Sequence, residues 1–124
     1  MIEFRNISKI YNGNKYALSD INLDIEKGEF VFLVGPSGAG KSTFIKLLLR
    51  EIEPTSGKLI VNGTDVTALS RKQIPHYRRK IGVVFQDFRL IPSLNVYENV
   101  AFAMRAIESS HKEIRKKFLW FYHW

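Results

Sequence analysis

The stretch "GPSGAGKST", residues Gly35 to Thr43, decides which fold this chain adopts. It satisfies the spacing GxxxxGK[ST], which is typical of a loop that holds a triphosphate between a β-strand and an α-helix. Such a loop curls so tightly that glycine is needed where a side chain would clash or where φ turns positive. Gly35, Gly38 and Gly40 are therefore expected at those points, and the motif predicts a phosphate-binding loop.

The chemistry of the loop suits a nucleotide with its metal ion. A helix beginning near Lys41 points unpaired backbone N–H groups and the positive end of its dipole at the phosphates. Lys41 adds a positive charge for the β- and γ-phosphates, and the Ser42 hydroxyl is a hard oxygen ligand for Mg²⁺. We expect ATP and Mg²⁺ as ligands. The predicted nucleotide-binding residues of the loop are Gly35, Pro36, Ser37, Gly38, Ala39, Gly40, Lys41, Ser42 and Thr43.

The sequence on either side predicts the strands and the helix that such a loop needs. "FVFLV", Phe30 to Val34, is a continuous apolar run and indicates a short strand buried on both faces. "KSTFIKLLLREI", Lys41 to Ile52, has apolar residues at helical spacing and is followed by the breakers "EPTSG". "IGVVFQ", Ile81 to Gln86, indicates a second buried strand.

The remaining segments predict further strands and helices. Alternating apolar residues indicate strands at three places: residues 2–7, 17–29 and 58–63. "SRKQIPHYRRK" predicts short helical turns broken near Pro75. Asn95 to Glu108 predicts a helix, and Ser110 with Glu113 forms the capping box of one more.

Composition sets limits on function. At 124 residues with 45% hydrophobic and 25% charged residues, the chain suits one compact globular domain. It has no cysteine, which excludes disulfides, thiolate metal sites and thiol nucleophiles. A net charge of +7 could indicate a polyanionic partner, but apart from the carboxyl-terminal tail the basic clusters lack the interleaved aromatics of a stacking platform. We therefore expect no nucleic acid partner. No apolar run of roughly 20 residues predicts a membrane span.

Four segments together resemble the ATP-binding subunits of ABC transporters. They are "ISKIYNGNKYALSDINLDIEKGEF", "LVGPSGAGKST", "EPTSGKLIVNG" and "GVVFQD", in the order and spacing of that family. The resemblance extends from Met1 to about Lys117. It implies an α/β fold, a partial P-loop NTPase core with an antiparallel β subdomain and the start of a helical subdomain. The implied boundaries are 1–88 for the core, 89–117 for the start of the helical subdomain and 118–124 for an atypical aromatic tail.

The same resemblance assigns roles to two residues outside the loop. Tyr11 matches the aromatic residue that stacks on adenine, although an isolated tyrosine after a strand is more often a packing residue. Gln86 matches the glutamine loop, where an amide oxygen contacts Mg²⁺ and the attacking water. Ser42 and Gln86 are therefore the implied metal ligands.

Within the family, "IPHYRRKIGVVFQDFRLIPSLNVYENVAFAM" resembles the FtsE-type cell-division subfamily. That likeness implies an FtsX-like integral membrane subunit as partner and a homodimer of ATP-binding subunits. It also implies a cytoplasmic location, peripheral on the inner face of the cell membrane, and control of septal peptidoglycan hydrolysis. Lipoprotein-release and macrolide-export subunits share much of this sequence and are the alternative.

The family's hydrolytic residues are not found between Met1 and Trp124. An LSGGQ-type signature, the Mg²⁺-ordering aspartate, the adjacent glutamate base and the switch histidine are all missing from the sequence. No catalytic residue is assigned, although the family is an ATPase. We expect a chain that binds ATP without hydrolysing it, or else a non-functional fragment.

The tail "FLWFYHW", Phe118 to Trp124, departs in composition from the amphipathic sequence before it. A frameshift or premature stop that appends out-of-frame residues is the favoured explanation. An apolar anchor for a membrane or partner is the rival, because Trp and Tyr suit interfaces. His123 has no second metal ligand near it in sequence.

Overall fold

The computed structural model describes residues 1–13 and 15–122. The chain forms two compact units, the first comprising Met1–Ile81 and the second Gly82–Trp124. The domain boundaries expected from the sequence, after residues 88 and 117, remain predictions.

An antiparallel sheet dominates the first unit. Its described strands are β1 (Ile2–Tyr11), β2 (Lys15–Ile25), β3 (Ser56–Val61) and β4 (Thr64–Asp65), in the order β2-β1-β3-β4. Phe4 of β1 lies opposite Leu23 on one side and Leu59 on the other. Asn62 and Gly63 join β3 to β4 with φ values of 48° and 75°, the two positive angles of a tight hairpin turn. The predicted antiparallel β subdomain is confirmed.

Helix α1, Lys41–Leu48, packs on this sheet through its apolar face. The Phe44 ring stacks on Phe4 with ring centroids 4.3 Å apart. The buried residues around this contact form the core of the first unit: Phe4, Ile7, Leu18, Phe44, Leu47, Leu59, Val66 and Tyr77. This packing fixes the start of α1 relative to the β1–β2 hairpin.

Helix α1 ends at Leu48, four residues before the predicted end at Ile52. Arg50 has a left-handed backbone, with φ of 55°, and a residue in that conformation terminates an α-helix. The second helix of this unit, α2, is Ile74–Arg78. Pro75 lies in its first turn, where its missing N–H costs little, so the expectation that Pro75 breaks the helical turns was wrong.

Side chains of α2 cap the carboxyl end of α1. The Tyr77 hydroxyl donates to the Leu48 carbonyl at 2.6 Å. The Arg78 guanidinium donates to the Leu49 carbonyl at 2.7 Å and to the Arg50 carbonyl at 3.0 Å. These carbonyls lie at the carboxyl end of the helix, where no backbone N–H of the helix is available to donate to them, so side chains of α2 supply the donors. Burial raises the pKa of Tyr77.

The two strands predicted to be buried are not strands in the described part of the chain. Phe30 to Val34 has no ladder pairing, and Phe30 and Phe32 are 83% and 77% exposed. Ile81 to Gln86 is likewise outside any ladder, and Val84 is 90% exposed. An apolar run becomes a buried strand only where neighbouring strands pair with its backbone. No described strand does so here.

The second unit contains α3 (Val96–Ala106) and α4 (His111–Tyr122). The Asn95 side chain and Glu98 form a capping box at the start of α3. The predicted Ser110–Glu113 capping box is confirmed, and its hydrogen bonds lower the pKa of Glu113.

The two helices pack against each other through buried Ala101, Met104 and Ile114. The Phe118 ring meets Tyr97 edge-on, with centroids 4.9 Å apart. Helix α4 begins at His111 and continues into the aromatic tail as far as Tyr122. His123 lies outside the described residues. Among the described helices, none has the length and apolar character required to cross a membrane.

Candidate nucleotide site

The glycine loop meets α1 at Gly40, which is the N-cap of the helix. Gly40 has φ of 87°, and a Cβ placed there would lie 2.4 Å from the Ala17 carbonyl oxygen of β2. Gly38 also has a positive φ, of 81°. The close approach of the loop to the hairpin therefore requires glycine at Gly40, as the sequence predicted.

The amino end of α1 presents backbone donors. The first hydrogen bond of the helix runs from the Phe44 N–H to the Gly40 carbonyl at 2.9 Å. The N–H groups of residues 41–43 precede that bond, and no side chain caps the helix. No acidic residue lies in the first turn. These donors and the positive end of the helix dipole form an environment that favours an anion.

Lys41 lies across the glycine loop. Its ammonium group donates to the Pro36 carbonyl at 2.7 Å and to the Gly35 carbonyl. The Ala39 N–H also donates to the Pro36 carbonyl, at 3.2 Å. Phosphate oxygens would be stronger acceptors for the ammonium than these neutral carbonyls, because charge-assisted hydrogen bonds are stronger.

An open cavity of about 360 Å³ lies over the loop. It is lined by Tyr11, Lys15, Tyr16, Ala17, Ser37, Gly38, Gly40, Lys41, Ser42 and Thr43. That volume is within the usual range for a small-molecule site. Seven of the predicted binding residues share this cavity. Gly35, Pro36 and Ala39 belong to the loop but not to the described lining.

Tyr11 is placed beside the loop by the β1–β2 hairpin. Its hydroxyl lies 3.4 Å from the Thr43 Oγ1 atom, and the residue is 41% exposed. The Lys9 ammonium lies 5.5 Å from the centre of the Tyr11 ring. The ring is therefore anchored at its polar tip and partly open to solvent.

The hairpin residues Lys15, Tyr16 and Ala17 also line the cavity, and the sequence-based predictions missed them. Lys15 lies opposite Tyr11 in the ladder. The hairpin signal was present in the sequence, since "YNGNKY" places turn residues between two strand segments. Pairing across that turn would have identified them.

The residues present fit a magnesium ion bound together with a phosphate. Ser42 lines the cavity beside Lys41, and its hydroxyl is an oxygen donor of the kind that Mg²⁺ prefers. Mg²⁺ in nucleotide sites usually takes one or two protein oxygens, with phosphate oxygens and waters completing six ligands. One hydroxyl at the loop is consistent with that pattern.

Gln86 lies in the second unit, where it lines an open cavity with Phe85, Asp87 and Arg89. Two residues that follow, Phe88 and Arg89, both have left-handed backbones, with φ of 54° and 47°. The Arg89 guanidinium stacks 3.7 Å from the centre of the Phe85 ring. The segment after Gln86 is thus a strained, tightly turned loop. A contact of Gln86 with the magnesium ion remains a prediction.

Comparison with known families identifies the family to which the sequence belongs. A family model described as "ABC transporter" matches residues 18–121. The chain belongs to the ABC transporter family. The matched residues include the glycine loop that lines the cavity. The resemblance inferred from the four sequence segments is confirmed.

The most similar relatives include cell-division proteins. The chain is 51% identical over 119 residues to the cell division ATP-binding protein FtsE of Bacillus subtilis, covering 96% of this chain and 52% of that protein. It is 51% identical to FtsE of Mycobacterium tuberculosis, covering 86% and 47%. It is also 47% identical to the phosphonates import ATP-binding protein PhnC of Lactococcus lactis, covering 83% and 42%. The chain thus spans about half the length of these relatives.

Solved structures of ABC ATPase cassettes share the fold. A dimeric structure of the ABC transporter cassette MJ0796 matches with a TM-score of 0.84 and 39% identity, covering 96% of this chain and 54% of that one. The cbiO1 protein of Clostridium perfringens, part of the cbiONQ transporter complex, matches with a TM-score of 0.81 and 32% identity, covering 93% and 46%. The predicted α/β fold, with its antiparallel sheet and helices, is confirmed.

Proposed function

We propose that this chain binds ATP with Mg²⁺ as the nucleotide-binding part of an FtsE-type ABC ATPase. The observation that carries the proposal is the amino end of α1, where Gly40 presses against the Ala17 carbonyl and the uncapped helix opens into the cavity. A helix N-terminus of this kind favours phosphate groups, and the GxxxxGK[ST] spacing of the loop is the one that holds a nucleotide triphosphate.

The predicted binding residues have different parts in holding the nucleotide. The backbone N–H groups of the loop and the first turn hold the phosphate oxygens. Lys41 leaves the carbonyls of Gly35 and Pro36 and contacts the β- and γ-phosphates. The Ser42 hydroxyl is one ligand of Mg²⁺, which neutralises phosphate charge when bound. Tyr11 offers its half-exposed ring to adenine, and Gln86 is proposed to approach the same ion.

The subfamily assignment rests on the FtsE relatives. By that likeness the chain acts with an FtsX-like integral membrane subunit and a second ATP-binding subunit, at the inner face of the cell membrane, in the control of septal peptidoglycan hydrolysis. A second candidate is an importer subunit, because the phosphonate importer PhnC is 47% identical. Co-purification with an FtsX-like or an importer membrane subunit, expressed side by side, distinguishes the two.

Nucleotide binding is tested with Lys41→Ala and a matched control, Lys46→Ala, which removes an exposed lysine from the same helix. Loss of one charge-assisted contact is worth about 1.5–3 kcal/mol, so calorimetric titration with Mg-ATP should show roughly 10- to 150-fold weaker binding for Lys41→Ala. Lys46→Ala should bind like the parent chain. Equal affinity in all three proteins would contradict the proposal.

Hydrolysis is expected to be absent from the purified chain. The glutamate base of the family is typically worth about 10² to 10⁴ in rate, and no segment of this sequence matches it. Phosphate release should equal the no-protein blank in both the parent chain and Lys41→Ala. Turnover that is present in the parent chain and lost in Lys41→Ala would show this expectation wrong.

A further inference from the structure

The outward face of α4 carries basic and apolar side chains that the nucleotide site does not use. Ile114 is buried against α3, and Phe118, one turn later, is half-buried on Tyr97. At 100° per residue the face opposite Ile114 is formed by residues 112, 116 and 120, each one turn from the next. Lys112, Lys116 and Trp120 are all exposed on that face.

Apolar surface extends beside this row. Trp120 is 61% exposed, and Leu119 next to it is 50% exposed. Trp120 also borders an open groove of about 460 Å³, whose lining includes the buried core residue Met104. The apolar patch at the carboxyl end of α4 is therefore contiguous with the core of the helix pair.

Charge is concentrated at the same place. Residues 111–122 contain four cationic side chains, Lys112, Arg115, Lys116 and Lys117, against one carboxylate, Glu113. All four cations are exposed. Hydrogen bonds from Ser110 lower the pKa of Glu113, so this one acid is ionised and the surface keeps a clear positive excess.

We propose that this face of α4, Lys112, Lys116, Leu119 and Trp120, binds the surface of an anionic lipid membrane. Lysine and arginine are attracted to the negative surface of such a membrane, and exposed Trp and Leu side chains partition into its interface. Indole rings favour the headgroup level, and the long lysine stems reach back to the phosphates. A twelve-residue helix is about 18 Å long, so α4 lies on the membrane and does not cross it.

Two other partners fit this face less well. A nucleic acid would use the cations, but it offers no apolar layer for the Leu119 side chain. A protein interface tends to exclude lysine from its centre, whereas Lys116 lies in the middle of this row. A membrane surface accepts the cations and the aliphatic group together.

Flotation of the full chain with vesicles tests the proposal, because bound protein rises with the lipid while aggregated protein sinks. The vesicles are equal mixtures of phosphatidylglycerol and phosphatidylethanolamine, with pure phosphatidylcholine for comparison. Lys112→Gln with Lys116→Gln is set against Arg71→Gln with Lys72→Gln, which removes the same charge from exposed positions in the first unit. A membrane-proximal lysine is worth about fivefold in partitioning, so the α4 pair should weaken binding roughly 30-fold.

The control pair should bind like the parent chain, and phosphatidylcholine should bind weakly. Trp120→Ala should also weaken flotation. Both tryptophans of the chain are in the last five residues, so tryptophan emission reports only on this segment and should shift to the blue on binding. Lys41→Ala should float normally, which separates this proposal from nucleotide binding. Equal flotation of the two charge pairs, or an emission shift with single-stranded RNA but not with vesicles, would overturn it.

Discussion

Gly40 shows how a single position fixes the geometry of the loop. Its positive φ and the 2.4 Å distance between an added methyl group and the Ala17 carbonyl oxygen are two separate penalties for any other residue. Gly28 has the same φ of 87° but no atom within 4 Å of the equivalent methyl position. Comparing substitutions at Gly40 and Gly28 therefore distinguishes the cost of backbone strain, which both share, from the cost of the steric clash, which only Gly40 has.

Gly40→Ala should lower the free energy of unfolding more than Gly28→Ala. The shared backbone strain costs about 1–3 kcal/mol in each variant, and the clash adds about 1–3 kcal/mol at Gly40 alone. Urea denaturation of both variants measures the difference, and Mg-ATP titration should show weaker binding only for Gly40→Ala. Indistinguishable midpoints would mean that the loop moves away from the hairpin at no cost.

Six of the ten residues that line the cavity could be predicted because the motif places them within nine consecutive residues. The glycine positions follow from steric rules that act within the loop itself. The contacts of Lys41 with the Gly35 and Pro36 carbonyls could not be predicted, because they depend on the folded path of the loop, which the motif does not specify. Lys15 and Tyr16 reach the cavity through strand pairing, which the motif does not encode.

Helix α1 depends on α2 at its carboxyl end as well as on the sheet. The Arg78 guanidinium donates two partly buried hydrogen bonds, to the carbonyls of Leu49 and Arg50. Arg79 is the adjacent arginine and is exposed like Arg78, so it provides a control of identical chemistry and similar exposure.

Arg78→Ala should reduce the free energy of unfolding by about 1.5–3 kcal/mol, because it leaves the two helix-terminal carbonyls without their charged donor. Arg79→Ala should change it by less than about 0.5 kcal/mol, as is usual for surface positions. Thermal and urea unfolding of the two variants provide the comparison. A loss of similar size in both would indicate a general charge effect and not capping.

Elements defined by contacts between residues close in sequence were predicted correctly, whereas elements that depend on residues far along the chain were not. Helix α4 and its Ser110–Glu113 box were predicted because the box uses groups only three residues apart. The end of α1 was misplaced because the left-handed Arg50 is held by carbonyls of Val66 and Thr67, far along the chain. The prediction of a strand at Phe30 to Val34 was wrong, because an apolar run indicates burial but does not specify which neighbouring strand would pair with its backbone.

The unpaired segment Phe30–Val34 governs how the chain behaves in solution. All five side chains are apolar and each is 44% exposed or more, and the rings of Phe30 and Phe32 meet edge-on with centroids 4.9 Å apart. Exposed apolar segments with free backbone donors and acceptors invite pairing between chains. Leaving several hundred Å² of such surface in water forgoes about 5–10 kcal/mol of burial, comparable to the stability of a small domain.

We therefore expect concentration-dependent association of the purified chain, measured by light scattering after size-exclusion chromatography. Phe30→Ser with Phe32→Ser should shift the distribution towards monomer, because it removes the largest exposed rings of the segment. Phe102→Ser, which replaces a single ring that is 56% exposed on α3, should change it little. A monodisperse parent chain with a cooperative thermal transition above about 60 °C would contradict this expectation, since that is high for a domain with such a segment in water.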